Sequence, residues 1–269
     1  MRGLKVSWNK SYLAHRQASF HENSRVVAEE VPVAMSYNGT THAVMMATPA
    51  DLEDFAVGFS LTEGIISNIS EIEELSIEVF EAGIDVQMRL SAEPGDALAA
   101  RRRFMAGPVG CGLCGIDSIG QALRPLSALS PDSLQFKSGS ITDAMNALAG
   151  AQKLNAETRA VHGAGFYIPG EGLFAVREDV GRHNALDKLI GSMARAGRPA
   201  MQGLVAITSR VSVEMVQKAV ILGVPLLAAI SAPTALAIRT ADEANLTLVA
   251  LVRGNDFDVY THPERILSE

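Results

Sequence analysis

Both cysteines of this chain lie in one nine-residue stretch, Gly107–Gly115, which reads GPVGCGLCG and is four-ninths glycine. Glycine lets a backbone take positive φ and come close to a ligand. Cys111 and Cys114 are therefore placed where a sulfur can face outward instead of filling a core. A helix predicted from about Ile116 sets unpaired N–H groups beside the pair, and the positive end of a helix favours a thiolate. A thiolate can attack a disulfide, bind a metal, or carry a transferable sulfur as a persulfide. The spacing alone does not choose among these.

Context bears on each chemistry. A thioredoxin-like redox pair sits at the start of a helix directly after a strand, whereas here a helix and a GPVG loop come first. A zinc site needs four protein ligands, or three and a water, and only two thiols exist. The zinc deaminases join an H-x-E to a P-C-x-x-C. No H-x-E stands upstream of Cys111, and Pro108 lies three residues before it instead of next to it.

A second cluster is Glu178–Lys188, EDVGRHNALDK. Gly181 permits a tight turn, and Arg182, His183 and Asn184 fall in the opening turn of a predicted helix after a strand. Ligands collect at such turns in α/β sheets. His183 could move a proton near neutral pH; the plainer reading is a structural turn with His183 bonded to backbone. Thr208–Ser212, TSRVS, puts Ser209, Arg210 and Ser212 at another helix start, a phosphate seat by chemistry. Ala232–Thr234 repeats the pattern. The run LVRGND leaves the last long strand with Leu251, Val252, Arg253, Gly254, Asn255 and Asp256, and Arg253 adds a positive wall. Together these turns suggest a cleft for a phosphorylated ligand.

The elements that must position these residues follow from periodicity and turn chemistry. Residues up to about Glu22 read as an irregular polar arm. Val26–Tyr37 and Thr41–Ala47 read as strands around the hairpin turn Asn38-Gly39. Thr48-Pro49 reads as the start of a helix that runs to Thr62. A second hairpin, Leu75–Phe80 with Ile84–Leu90, precedes a helix over Asp96–Met105. That helix carries Arg101, Arg102 and Arg103, either a solvated face or an anion contact. Ile141–Leu154 reads as one helix. From Val161 strands alternate with helices: strands at 162–168, 173–177, 204–208, 226–230, 246–252 and 257–260, and helices at 182–194, 213–222 and 234–244. This pattern implies an α/β sheet with helices on its faces. Three regions are expected: a flexible N-terminal arm over 1–22, an α+β region over 23–106, and the CxxC loop with the α/β core over 107–269.

Bulk properties narrow the class. With 48% apolar and 20% charged residues, the 269-residue chain can bury a core without staples. A net charge of −7 argues against nucleic acid as the main partner. Two cysteines do not make a disulfide scaffold. The N-terminus has no apolar signal region. The apolar run near Val220–Ile230 is broken by Gly223 and Pro225 and is too short to span a bilayer. A cytoplasmic protein without a membrane partner is expected.

In these motifs taken together, the chain resembles the formate dehydrogenase accessory sulfurtransferases, the FdhD family. The resemblance rests on GPVGCGLCGIDSI, HGAGFY, EDVGRHNALDKLIG, SRVSVEMVQKA, SAPTALAIRTA and FDVYTHPERI, and upstream on VPVAMSYNG and TPADLEDFAVGFSLTEGII. It covers most of the chain. It implies a mixed sheet of the cytidine-deaminase kind with helices on its faces and no zinc. It also implies a sulfurtransferase that carries sulfur from a cysteine desulfurase to the molybdenum cofactor, in its bis(guanine dinucleotide) form, of a formate dehydrogenase apoenzyme. Cys111 matches the persulfide-forming position and Cys114 the second cysteine of the pair. LVRGND matches the family's cofactor-contact segment, although Leu251 and Val252 stand where relatives often have an aromatic and a small residue. A guanine nucleotide is then expected at Ser209, Arg210, Ser212 and Arg253, with Arg182, His183 and Asn184 positioning or protonating. A homodimer is expected because a ligand with two guanine arms could use two pockets. A cofactor-binding chaperone and a CxxC thiol oxidoreductase are the competing readings.

Overall fold

Asn38 and Gly39, the strongest turn signal in the chain, both take left-handed φ (49° and 78°) in the computed structural model. They close a hairpin between β3 (Val31–Tyr37) and β4 (Thr40–Ala47). The structure describes residues 4–104, with the main chain alone for 99–104, then 126–130 and 134–268. Cys111, Cys114, the glycine loop and the helix expected from Ile116 lie outside the described residues.

The region before β3 differs from expectation. Instead of an irregular arm up to Glu22, β1 (Ser7–Arg16) and β2 (Ser19–Ala28) pair in antiparallel register over ten residues. Trp8, Tyr12, Leu13, Phe20, Val26 and Val27 supply the β-formers. The turn residues Gln17 and Ala18 take positive φ without glycine or asparagine, so no turn signature marks the hairpin.

β3 and β4 continue into a four-stranded sheet with β5 (Ile72–Phe80) and β6 (Gly83–Leu90), in the order β4-β3-β6-β5, with β3 parallel to β6. Its apolar face (Val33, Met35, Tyr37, Val86 and Met88) packs on Phe55 and Phe59 of α1 (Leu52–Thr62), and Leu98 of α2 (Ala92–Phe104) joins this core. α1 starts later than expected. Thr48 is no cap: its N–H donates to Asp179 Oδ2 at 3.0 Å, and its hydroxyl accepts from the Val180 N–H at 3.2 Å.

The larger sheet combines β8 (His162–Ile168), β9 (Gly172–Asp179), β10 (Leu204–Ile207), β11 (Leu226–Ala229), β12 (Thr247–Arg253) and β13 (Asp256–Thr261). The order is β13-β12-β11-β10-β8-β9, with β10, β11 and β12 parallel and the other pairings antiparallel. β10 and β11, Leu204–Ile207 and Leu226–Ala229, are buried at every position, as expected of strands covered on both faces. α5 (Arg182–Ala196), α6 (Val213–Leu222) and α7 (Ala235–Glu243) cover one face. α3 (Ser138–Ala151) covers the other, where the short strands β7 (Phe136–Lys137) and β14 (Ile266–Leu267) pair beside it. The helix expected to run through Leu154 breaks at Gln152, because the Glu178 carboxylate takes the N–H groups of Leu154 and Asn155, both at 2.8 Å, and opens a new short helix α4 (Lys153–Thr158).

The two sheets are joined through α1 and α5. A Cβ on Gly58 would stand 1.7 Å from the Asp187 carbonyl oxygen, and one on Gly191 1.8 Å from that of Asp54. The helix backbones therefore touch, and Asp54 locks the seam by accepting from Arg177 and Arg195, each at 2.6 Å. Among the described residues no helix is long and apolar enough to cross a membrane.

Candidate functional site

The carboxyl ends of β10 and β11 run into α6 and α7, and the end of β9 runs into α5 on the same side of the sheet. The loops are tied together there. Val211 bridges Pro233: its N–H donates to Ala232 O at 3.2 Å, and Thr234 N–H donates to Val211 O at 3.0 Å. Thr208 N–H donates to Gly163 O at 3.0 Å, and Gly163 N–H donates to Thr208 Oγ1 at 2.9 Å, which brings His162 to the same edge.

The three helix starts, alike in sequence, differ in structure. Thr234 caps α7, its Oγ1 accepting from Ala237 N–H at 3.2 Å. That turn satisfies itself. Gly181 and Ser212, at the starts of α5 and α6, make no side-chain cap. At α5 the first-turn N–H groups stay available to an anion, whereas at α6 the Met215 N–H already donates to Ser212 O at 3.1 Å.

Between these open starts lie three buried polar atoms without a hydrogen bond among the described residues: Arg182 Nε, His183 Nε2 and Ser212 Oγ. Buried polar atoms are seldom left so. Burial, reinforced by Arg182 and Lys218, pushes the His183 imidazole down to about 4, against the opposing pull of Glu214 and Glu63. His183 is therefore neutral at pH 7. His162 is lowered too, by burial first and then by Arg182. Glu214, two residues into α6, is raised by burial, but Ser212, its own backbone N–H, His183 and Arg182 outweigh this and hold it below the ordinary carboxylate range. Ser212 Oγ thus lies near Glu214 without forming a hydrogen bond of good geometry.

The expected residues separate into three groups. Arg182, His183 and Ser212 come together at the open edge. Asn184 is consumed: its amide donates to Met46 O and to Asp179 Oδ1, both at 2.9 Å, so it holds the turn instead of facing a ligand. Ser209 is buried and donates to Arg210 O at 2.9 Å, while Arg210 is exposed. LVRGND divides. Val252 is buried in the core on the α3 side, and Leu251 sits at a bulge in left-handed backbone (φ 56°). Arg253, Gly254, Asn255 and Asp256 form the exposed tip of the β12–β13 hairpin. A non-glycine residue held at positive φ is the kind of strain that clusters at ligand contacts.

Sequence reasoning passes over several residues. Asp179 and Lys188 form a fully buried ion pair at 2.6 Å. Burial pushes the Lys188 ammonium down, with Asp179 opposing. Asp187 and Lys218 pair at 2.8 Å, and Thr62 hydrogen-bonds both. Burial pushes Asp187 up, with Lys218 opposing. Half of EDVGRHNALDK is therefore a clamp between the two sheets. His162 and Glu214 are also missed; their signals are a histidine opening a strand and an acid just inside a serine-started helix. The chain does contain an H-x-E, His262–Pro263–Glu264. Its histidine lies in a C-terminal turn, Nε2 facing Asp242 O at 3.1 Å and Nδ1 facing Glu264 at 3.2 Å. Gly110–Gly115 spells G-x-G-x-x-G by letter, but that fingerprint needs a strand just before it, and the last described element before it is α2.

The FdhD/NarQ family profile matches residues 28–267. The chain belongs to the FdhD/NarQ family. The sulfur carrier protein FdhD of Brucella abortus biovar 1 (strain 9-941) is 68% identical over 99% of this chain and 99% of its own length. That of Agrobacterium fabrum (strain C58 / ATCC 33970) is 64% identical over 98% of this chain and 99% of its own. A crystal structure described as that of a formate dehydrogenase accessory protein from Desulfotalea psychrophila superposes with a TM-score of 0.77 at 27% identity, covering 98% of this chain and all of that one. The mixed α/β architecture is therefore that of an FdhD-type protein. The family match begins at residue 28, so the β1–β2 hairpin precedes it almost entirely.

Proposed function

We propose that this chain is a sulfur carrier that accepts sulfane sulfur from a cysteine desulfurase on Cys111 and passes it to the molybdenum cofactor of a formate dehydrogenase apoenzyme. The observation that carries this reading is end-to-end likeness to proteins named sulfur carrier protein FdhD, at 68% identity over 99% of both chains. In the loading step the Cys111 thiolate attacks the outer sulfur of the donor persulfide. The donor S–S bond breaks, the donor cysteine leaves as a thiolate, and Cys111 holds the sulfur. Cys114 is the neighbouring thiol of the same loop.

The open edge of the large sheet supplies a place for the cofactor as substrate. A guanine dinucleotide arm carries a diphosphate, and the uncapped start of α5 with Arg182 suits it. Arg210 and the turn Arg253–Asp256 flank it, with Ser209 and the strained Leu251 behind. Neutral His183 can accept or donate one hydrogen bond there, and Asn184 fixes the turn that presents it. Two copies of the chain would offer one cleft to each guanine arm. The work is that of a protein of the cytoplasm.

Intact-mass measurement after incubation with a cysteine desulfurase and cysteine tests the reading. The expected result is a gain of one sulfur that vanishes in Cys111→Ala. Client activation that survives loss of both thiols, with no persulfide formed, makes the protein a chaperone instead. Reversible loss of two hydrogens, with dithiol-dependent reduction of a test disulfide, makes it an oxidoreductase.

A further inference from the structure

Glu214 and Lys218 are four residues apart on α6, the spacing at which a helix forms its ordinary ion pair. They do not form one. Lys218 Nζ turns to Asp187, 2.8 and 2.9 Å from its two oxygens, and to Thr62 Oγ1 at 2.8 Å, with Glu63 at 3.6 Å. Glu214 is left partly buried at the open edge, with no ion pair among the described residues. Arg182 is near enough to favour its charge without reaching it. Beside it stand His183 Nε2, buried and without a hydrogen bond among the described residues, and Ser212 Oγ, close enough to favour the Glu214 charge.

A carboxylate in that position disfavours a phosphate at the start of α6, because it already occupies the positive end of the helix and repels a second anion. It calls for donors. A guanine base presents two adjacent donors, N1–H and the 2-amino group, spaced to meet both oxygens of one carboxylate. Adenine offers its amino group beside an acceptor and cannot make that pair.

We infer that Glu214 is the specificity-determining residue of the cleft, its carboxylate accepting N1–H and N2–H of a bound guanine. The phosphates then lie at the start of α5, against Arg182, with Ser212 beside the base. This rests on the proposal that the cleft takes a guanine dinucleotide arm, and it makes the two helix starts unequal: α5 holds the anion and α6 reads the base.

Calorimetric titration of the full-length protein with GDP, IDP and ADP tests it. IDP keeps the phosphates and N1–H and lacks only the 2-amino group. Wild-type protein should bind GDP about ten- to a hundredfold tighter than IDP, the effect of one hydrogen bond to a charged group. In Glu214→Gln both nucleotides lose the charged acceptor of N1–H, but GDP loses more, so the preference for GDP over IDP should collapse to near unity. A GDP preference that survives in Glu214→Gln, or equal binding of GDP and IDP by the wild type, overturns the inference. Wild-type protein that binds neither nucleotide removes the guanine reading of the cleft itself, a failure distinct from loss of base discrimination. If Glu214→Gln does not give a native circular dichroism spectrum, Glu214→Ala is titrated in its place with the same expected and overturning outcomes.

Discussion

Lys188 Nζ lies 2.6 Å from Asp179 Oδ2, and both side chains are fully buried. The pair spans the two sheets: Lys188 also donates to Thr48 O at 2.8 Å, and Asp179 accepts from the N–H groups of Thr48 and Gly181 and from the Asn184 amide. Removing one partner strands a buried charge. Lys188→Met should destabilise the fold by about 3–5 kcal/mol, read as a lower urea midpoint. Lys188→Met with Asp179→Asn should cost less than the sum of the single changes, since the asparagine oxygen can still accept from backbone. Full additivity would show that the pair is not coupled.

The α1–α5 seam gives a second, sharper prediction. A methyl group at Gly58 would meet the Asp187 carbonyl carbon and oxygen inside van der Waals contact. Backbone cannot yield as a side-chain tip can, so Gly58→Ala should cost several kcal/mol, of the order of the worst overpacking substitutions. Gly150, inside α3 with nothing within 4 Å, is the control. Gly150→Ala should be neutral or stabilise by about 0.5–1 kcal/mol. Thermal melts should place Gly58→Ala well below the wild type and Gly150→Ala at or above it; a Gly58→Ala melt near the wild type would mean that the seam is looser than its geometry.

Much of this fold is legible in the sequence because its elements carry local signals. Asn38-Gly39 names its own turn, and Val213–Leu222 falls between Ser212 and Gly223, residue types that mark a helix start and a helix end. What is not legible is long-range. Thr48 reads as a helix cap until Asp179, 131 residues later, takes its N–H. Gln152 ends a helix only because Glu178 comes from another strand to start the next one. The β1–β2 hairpin turns on Gln17-Ala18, which carries no turn chemistry. At the site, the spacing of Arg182, His183 and Ser212 marks helix starts correctly. It cannot tell Thr234, which caps its own helix, from Ser212, which does not. Nor can it tell that Lys218 abandons Glu214 for Asp187. These are choices between partners, and they are settled by packing.

His183 makes stability depend on pH in a definite sense. Its native value is about 4, below the unfolded value near 6.5. Between the two, the unfolded chain binds the proton more readily, so stability rises with pH. The contribution is complete above about pH 6.5 and is lost as pH falls to about 4. His162 is shifted the same way and adds to the slope. Urea unfolding across this window should show a fall of the order of 2–3 kcal/mol from His183. His183→Asn should flatten the curve there without abolishing it. An unchanged slope would mean that the imidazole is not held neutral.

Arg182 and Arg253 offer the last comparison. Arg182 Nε is buried and unpartnered at the open start of α5, whereas Arg253 stands exposed at a hairpin tip. A partly desolvated guanidinium binds a phosphate more strongly than an exposed one, which is screened by water and salt. Arg182→Ala should therefore weaken GDP binding about tenfold or more. Arg253→Ala should weaken it only a few-fold, an effect that shrinks further as salt is added. Neither change should prevent sulfur loading of Cys111, measured by intact mass. Calorimetric titration of both variants at two salt concentrations separates the cases. An Arg253 effect larger than that of Arg182 would move the anion seat from the α5 start to the β12–β13 turn.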